Sequence, residues 1–137
     1  MLAVISILLA GYATIILGDF LWLGYVTKSF IIREFGPLVE VMSNGSIKIN
    51  LVAGLTAWAV IVLLVYVFVI RSGYATTYVS AFGYGAIMGL LSYAMYDLTN
   101  LTFIKGYSFL FTLADIAWGT FLCGMVALVM YSVSKYF

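Results

Sequence analysis

Polar positions are scarce along this chain, and where they fall divides it into four long apolar runs joined by short connections. Leu2 to Val26 carries one charge, Asp19, and Ile49 to Ile70 carries none. Tyr78 to Asn100 and Phe109 to Tyr131 carry one each, Asp97 and Asp115. Each run holds roughly 20 or more residues, enough at 1.5 Å per residue to cross about 30 Å of hydrocarbon as a helix. The first run is longer than the roughly 7–15-residue core of a signal peptide, so it is expected to remain as a span. The pattern predicts an all-α membrane protein, a four-transmembrane-helix bundle forming one integral membrane domain over residues 1–137. Its spans fall at about 2–26, 49–70, 78–100 and 109–131, with boundaries uncertain by about 2–4 residues.

Residues 28–48 read differently. Phe30, Ile31, Phe35, Leu38, Val39 and Met42 alternate with Arg33, Glu34 and Glu40, an amphipathic pattern suited to a headgroup layer. Proline lacks an amide donor and drives its predecessor out of the α region, so Gly36-Pro37 should break this segment into two short interfacial helices. Arg71-Ser72-Gly73 and Lys105-Gly106 read as tight turns.

Composition sharpens the solvent argument. The chain is 66% hydrophobic and 8% charged, so its polar side chains cannot cover a water-facing surface, and the lipid bilayer is its expected partner. A net charge of +1 offers no basic stripe for nucleic acid. Histidine is absent and Cys123 is the lone cysteine, buried in an apolar run and most simply a core thiol. No metal or cofactor is expected. Lys28, Arg33, Lys48 and Lys105 fall on one side of the four spans, and Arg71, Lys135 and the amino terminus on the other. The positive-inside rule therefore puts both termini of a multi-pass cell-membrane protein on the non-cytoplasmic side. Asn44-Gly45-Ser46 and Asn100-Leu101-Thr102 match glycosylation sequons, but both lie on the predicted cytoplasmic side.

The three intramembrane aspartates carry the candidate chemistry, because a carboxylate at helix centre costs about 2.5–3.5 kcal/mol on insertion scales. Following the alternating direction of the spans, Asp19, Asp97 and Asp115 reach similar depths on the Lys-rich side. Each has company at helical spacing: Trp22 beside Asp19, Tyr93 and Asn100 beside Asp97, Thr112 and Trp118 beside Asp115. These eight residues form the candidate binding site, a polar pocket for a proton or small cation, overlain by the broken segment around Gly36-Pro37. A structural account competes with it. Thr112-x-x-Asp115 resembles a capping box that would start the fourth helix near Leu113, and Lys28, Arg33 or Lys105 would neutralise the carboxylates. Gly83-Tyr84-Gly85 lies inside a span and is no ion filter. Ala81, Gly85 and Gly89 instead predict a close helix contact.

Three motifs, Asp19-Phe-Leu-Trp22-Leu-Gly24, Tyr96-Asp-Leu-Thr-Asn100-Leu and Asp115-Ile-Ala-Trp118-Gly119, together with Phe35-Gly36-Pro37-Leu38, resemble the signatures of a bacterial membrane family, DUF2177. The resemblance implies a small four-helix membrane protein and supplies no activity, substrate or cofactor. Proton or small-cation transport or binding is the first functional reading. A membrane-embedded lipid-modifying enzyme and a non-catalytic subunit of a larger membrane complex are the alternatives. No nucleophile elbow, phosphate-binding loop or metalloprotease helix points to an enzyme. Four spans leave little interior, so a continuous pore would form more easily in a homo-oligomer than inside one copy.

Overall fold

The computed structural model describes residues 1–137, the side chain of Pro37 apart. Five α-helices follow in order: α1 (Leu2–Leu21), α2 (Lys28–Phe35), α3 (Leu51–Val65), α4 (Tyr78–Phe103) and α5 (Phe109–Ser134). A π-helical turn, Trp22–Val26, extends α1, and another, Tyr66–Ile70, extends α3. The four apolar stretches long enough to cross a membrane are Leu2–Val26, Leu51–Ile70, Tyr78–Phe103 and Phe109–Ser134. The chain is an all-α membrane protein with four such helices.

Helices that begin near lipid need partners for their first amides, and three of these helices carry a side-chain cap. Asn50 Oδ1 accepts from Ala53 N at 3.1 Å to open α3. Thr77 and Ser80 cap α4 reciprocally, Thr77 Oγ1 accepting from Ser80 N at 3.0 Å and Ser80 Oγ from Thr77 N at 2.8 Å. Ser108 Oγ accepts from Phe111 N at 3.1 Å to open α5. This corrects the capping box expected at Thr112. Gly106, at φ +81°, turns the chain early enough for Ser108 to take the cap, and the Thr112 hydroxyl donates back to the Ser108 carbonyl at 3.0 Å.

The segment between the first two spans also departs from expectation. Gly36, at φ +48°, ends α2, as the Gly-Pro break predicts. The second short helix is absent; in its place the chain makes a 3₁₀ turn, Gly36–Leu38, and a tight hairpin. Val41 and Ile47 bridge antiparallel, Lys48 N donates to Glu40 O at 2.8 Å, and Asn44 Oδ1 accepts from Ser46 N at 2.9 Å around Gly45 at φ +75°. Asn-Gly is a stronger local signal than a short amphipathic pattern, because Gly45 takes the turn's left-handed position at no steric cost while the Asn44 side chain bonds the backbone two residues on.

Helix α5 runs through the centre and buries the most residues, against α4 on one side and α1 on another. Gly85 and Gly89 face it, where their spacing predicted a close contact. A Cβ on Gly85 would meet the Cys123 carbonyl oxygen at 2.6 Å, and one on Gly89 the Cys123 Cβ at 2.7 Å. The two antiparallel helices thus pair Gly85 with Ala127, Gly89 with Cys123 and Tyr93 with Gly119, four residues per step on each. On α1 every fourth residue is buried, Ile7, Gly11, Ile15 and Asp19. The apolar core, with Ile15, Val65, Val126 and Met130 at 0% exposure, occupies the half of the bundle nearer the termini.

Candidate functional site

The pairing of α4 with α5 determines what happens in the other half. One further step of four from Tyr93 and Gly119 brings Asp97 opposite Asp115, so the two carboxyls are neighbours across the α4–α5 contact. Asp97 is fully buried. Its Oδ1 accepts from the Tyr107 hydroxyl at 2.6 Å, whereas Oδ2 has no donor among the described residues.

Asp19 reaches the same level from α1. Trp118 Nε1 donates to its Oδ1 at 2.7 Å and Trp58 Nε1 to its Oδ2 at 2.5 Å. Trp22 lies flat on Trp118, with centroids 4.4 Å apart and planes 5° from parallel, so it supports the donor without touching the acid through its own N–H. Asp19, Trp58, Asp97 and Asp115 each stand six or seven residues in from the Lys-rich end of their span, about 9–10 Å deep.

A cavity of about 500 Å³ opens at this level. Asp19 and Asp115 supply its acidic wall, and Trp58, Tyr93 and Tyr107 line it with aromatic surface. Ile31, Phe35 and Val39, from α2 and the turn after it, close over it. Asp97 sits behind Tyr107 and Asp115 rather than on the cavity wall. Phe35 packs edge-on against Phe111 (4.5 Å) and Tyr107 (5.2 Å), fixing this cover to the start of α5. A polar tie reinforces it: Ser108 Oγ donates to Glu34 Oε2 at 2.6 Å. That bond, with a second from Arg33 at 3.0 Å, holds the Glu34 carboxyl below its ordinary range. Burial and the bond to Asp97 push the Tyr107 hydroxyl above its ordinary value.

The expected neutralising lysines and arginine do not reach the aspartates. Among the described residues the ion pairs are Arg33 with Glu34 and Lys48 with Glu40, both near the surface. Long basic side chains at the interface gain more by turning to water than by crossing about 10 Å of apolar cavity wall.

Residues 3–132 match the family described as predicted membrane protein (DUF2177). This chain belongs to the DUF2177 family. No match was found among the curated proteins or among the solved structures.

Of the eight candidate residues in this DUF2177 protein, Asp19, Tyr93 and Asp115 line the cavity and Asp97 adjoins it. Trp118 binds Asp19, and Trp22 stacks behind it. Thr112 is fully buried but spends its hydroxyl on the Ser108 carbonyl, and Asn100 approaches Tyr107 near the end of α4. Trp58 and Tyr107 escaped the sequence reading. Trp58 is the lone indole of an uncharged span, and an indole N–H buried in lipid needs an acceptor, which was the available signal. Tyr107 lies in a turn read as mere connection. Within the described residues no three acidic or thiol groups converge as a metal site, since Asp19 is turned to the indoles while Asp97 and Asp115 face each other.

Proposed function

We propose that Asp97 and Asp115 form a proton-binding pair at the heart of a site for proton or small-cation binding or transport. The observation that carries the reading is the buried Asp97 Oδ2, which lacks a donor while another carboxyl lies beside it. A single proton between the two acids supplies that missing bond, and an unsatisfied buried acceptor otherwise costs about 1–3 kcal/mol. Tyr107 fixes the far oxygen of Asp97, Tyr93 lies on the neighbouring turn, and Asp19 adds its charge from α1. A dehydrated divalent ion would need about six oxygens, more than two carboxyls and one phenol provide. In this reading the cavity opens toward the cytoplasm and both termini lie outside, on the positive-inside count. Passage across the whole bilayer requires several copies, because the tightly packed half blocks a single one.

Infrared difference spectroscopy across a pH titration of the protein in lipid tests the pair. A protonated-carboxyl band is expected in the wild type and lost in both Asp97→Asn and Asp115→Asn, each folded by circular dichroism. Pyranine-loaded liposomes then separate transport from binding. The absence of that band, or its survival in both variants, overturns the proposal. Lipid turnover in the same liposomes would favour the enzyme reading, and failure to fold without another protein the subunit reading.

A further inference from the structure

The proton pair accounts for Asp97 and Asp115 but not for the cavity beside them. We propose that it binds a monovalent organic cation, an alkylammonium group carried by a free amine or by a lipid headgroup. The inference rests on the proposed cation and proton site and names the ligand class for it.

Four features point to this chemistry. First, the acidic wall is uncompensated: Asp19 and Asp115 line the cavity, and no described Lys or Arg pairs with either. The two indoles that hold Asp19 donate hydrogen bonds but carry no charge, and each leaves its carboxylate oxygen a further lone pair for a ligand. Second, the remaining wall is mainly aromatic, with Trp58, Tyr93, Tyr107 and Phe35 around the acids. Ring faces attract a weakly hydrated organic cation, whereas they replace poorly the water shell of a hard ion. Third, the volume of about 500 Å³ exceeds what a bare ion or a proton relay requires and lies in the range of small-molecule pockets. Fourth, Ile31 and Phe35 of α2 line the cavity, and the amphipathic pattern of that helix suits the headgroup layer, so a ligand would arrive from the interface, where both free amines and phospholipid ammonium groups are found. A carboxylate against a buried ammonium, inside an aromatic wall, is a complementary pair that neither component makes alone.

The protein carries its own reporter. Its three tryptophans are Trp22, Trp58 and Trp118, and all three belong to this site. Intrinsic fluorescence of the full chain in phosphatidylglycerol nanodiscs is titrated with choline, with ethanolammonium and with the neutral choline isostere 3,3-dimethylbutanol. Saturable changes are expected with the cations and none with the isostere. Asp115→Asn should weaken the cation response about 10- to 100-fold, the loss expected for a charged hydrogen-bond partner. Asp19→Asn should do the same if it folds, and Asp115→Asn stands in for it if not. If soluble choline still titrates the protein in phosphatidylcholine nanodiscs, the free amine is the ligand. A spectrum already shifted there, with no further response, identifies the headgroup. An equal response to the isostere, or no cation response in phosphatidylglycerol, overturns the proposal. A persisting infrared carboxyl band would show that the proton pair survives that failure, and loss of both results would remove the two readings together.

Discussion

Two glycines six residues apart on α4 should respond to alanine in opposite directions. At Gly89 a new Cβ would stand 2.7 Å from the Cys123 Cβ and against the Gly119 carbonyl, while ordinary contact lies at 3.4–4 Å. Both obstacles are backbone or bonded directly to it, so relief requires the helices to part by nearly 1 Å rather than a side chain to rotate. Such overpacking costs about 1–3 kcal/mol, against about 0.5–1 kcal/mol gained by replacing a helical glycine with alanine. A Cβ at Gly83 meets nothing within 4 Å and should keep the gain alone. The gain is common to both variants, which are therefore expected to differ by the overpacking cost, about 1–3 kcal/mol, with Gly83→Ala at or above the wild type. Thermal and denaturant unfolding in mild detergent, followed by circular dichroism, measures the difference. Gly89→Ala should also displace the acid pair two steps along the same stripe and weaken its infrared signature. Equal stability of the two variants would refute the claim that this contact sets the spacing of α4 and α5.

Trp58→Phe removes one donor from buried Asp19 and should cost about 1–3 kcal/mol in the same unfolding assay. Trp118→Phe should cost up to about 1.5 kcal/mol more because its ring also stacks on Trp22, and effects below about 0.5 kcal/mol at both positions would contradict the indole clamp. The Ser108 bond lowers the Glu34 carboxyl in the folded state, so its contribution is present above the ordinary carboxylate value and is lost as pH falls through the lowered one. A spin label at exposed Ser29 should gain mobility on acidification, and Glu34→Gln should remove that acid dependence. An unchanged spectrum down to pH about 3 would show that α2 is held by Phe35 alone.

The spans were legible because an apolar run of about 20 residues has few alternatives, and their ends moved by no more than three residues: 49 to 51, 100 to 103 and 131 to 134. The shared depth of the three aspartates was legible too, since it follows from helical rise and alternating direction alone. What each acid touches was not. Trp58 meets Asp19 across 39 residues of sequence, and nothing along α3 itself shows which way its single indole points. Helical spacing proposed Trp22 as the companion of Asp19, yet the π-helical turn beginning there changes the angular step, and Trp22 faces Trp118. The cap at Ser108 and the Asn44-Gly45 hairpin were hidden by stronger-looking patterns nearby, a Thr-x-x-Asp and an amphipathic stretch. Short polar signals compete locally, and the winner is decided by where the preceding turn ends.

The division of the bundle into two unlike halves follows from one repeated step. Residues 85, 89, 93 and 97 of α4 meet 127, 123, 119 and 115 of α5, and the side chains along this line change from glycine and alanine to tyrosine and aspartate. At the terminal end the small residues let the backbones touch, which leaves no room for water or an ion. At Tyr93 the ring occupies the notch that Gly119 leaves open, and beyond it the carboxyls need donors: Tyr107 reaches Asp97 from the turn before α5, while Trp118 of α5 and Trp58 of α3 hold Asp19 of α1. A close contact at one end thus provides the rigid reference against which the acids are set, and the cavity forms where that contact stops. Substitutions before Tyr93 on this line should act first on stability, and those after it on proton and ligand binding. Tyr93 belongs to both halves, packed on Gly119 and lining the cavity, so Gly119→Ala, which would push its ring, should disturb the acid pair as well as stability.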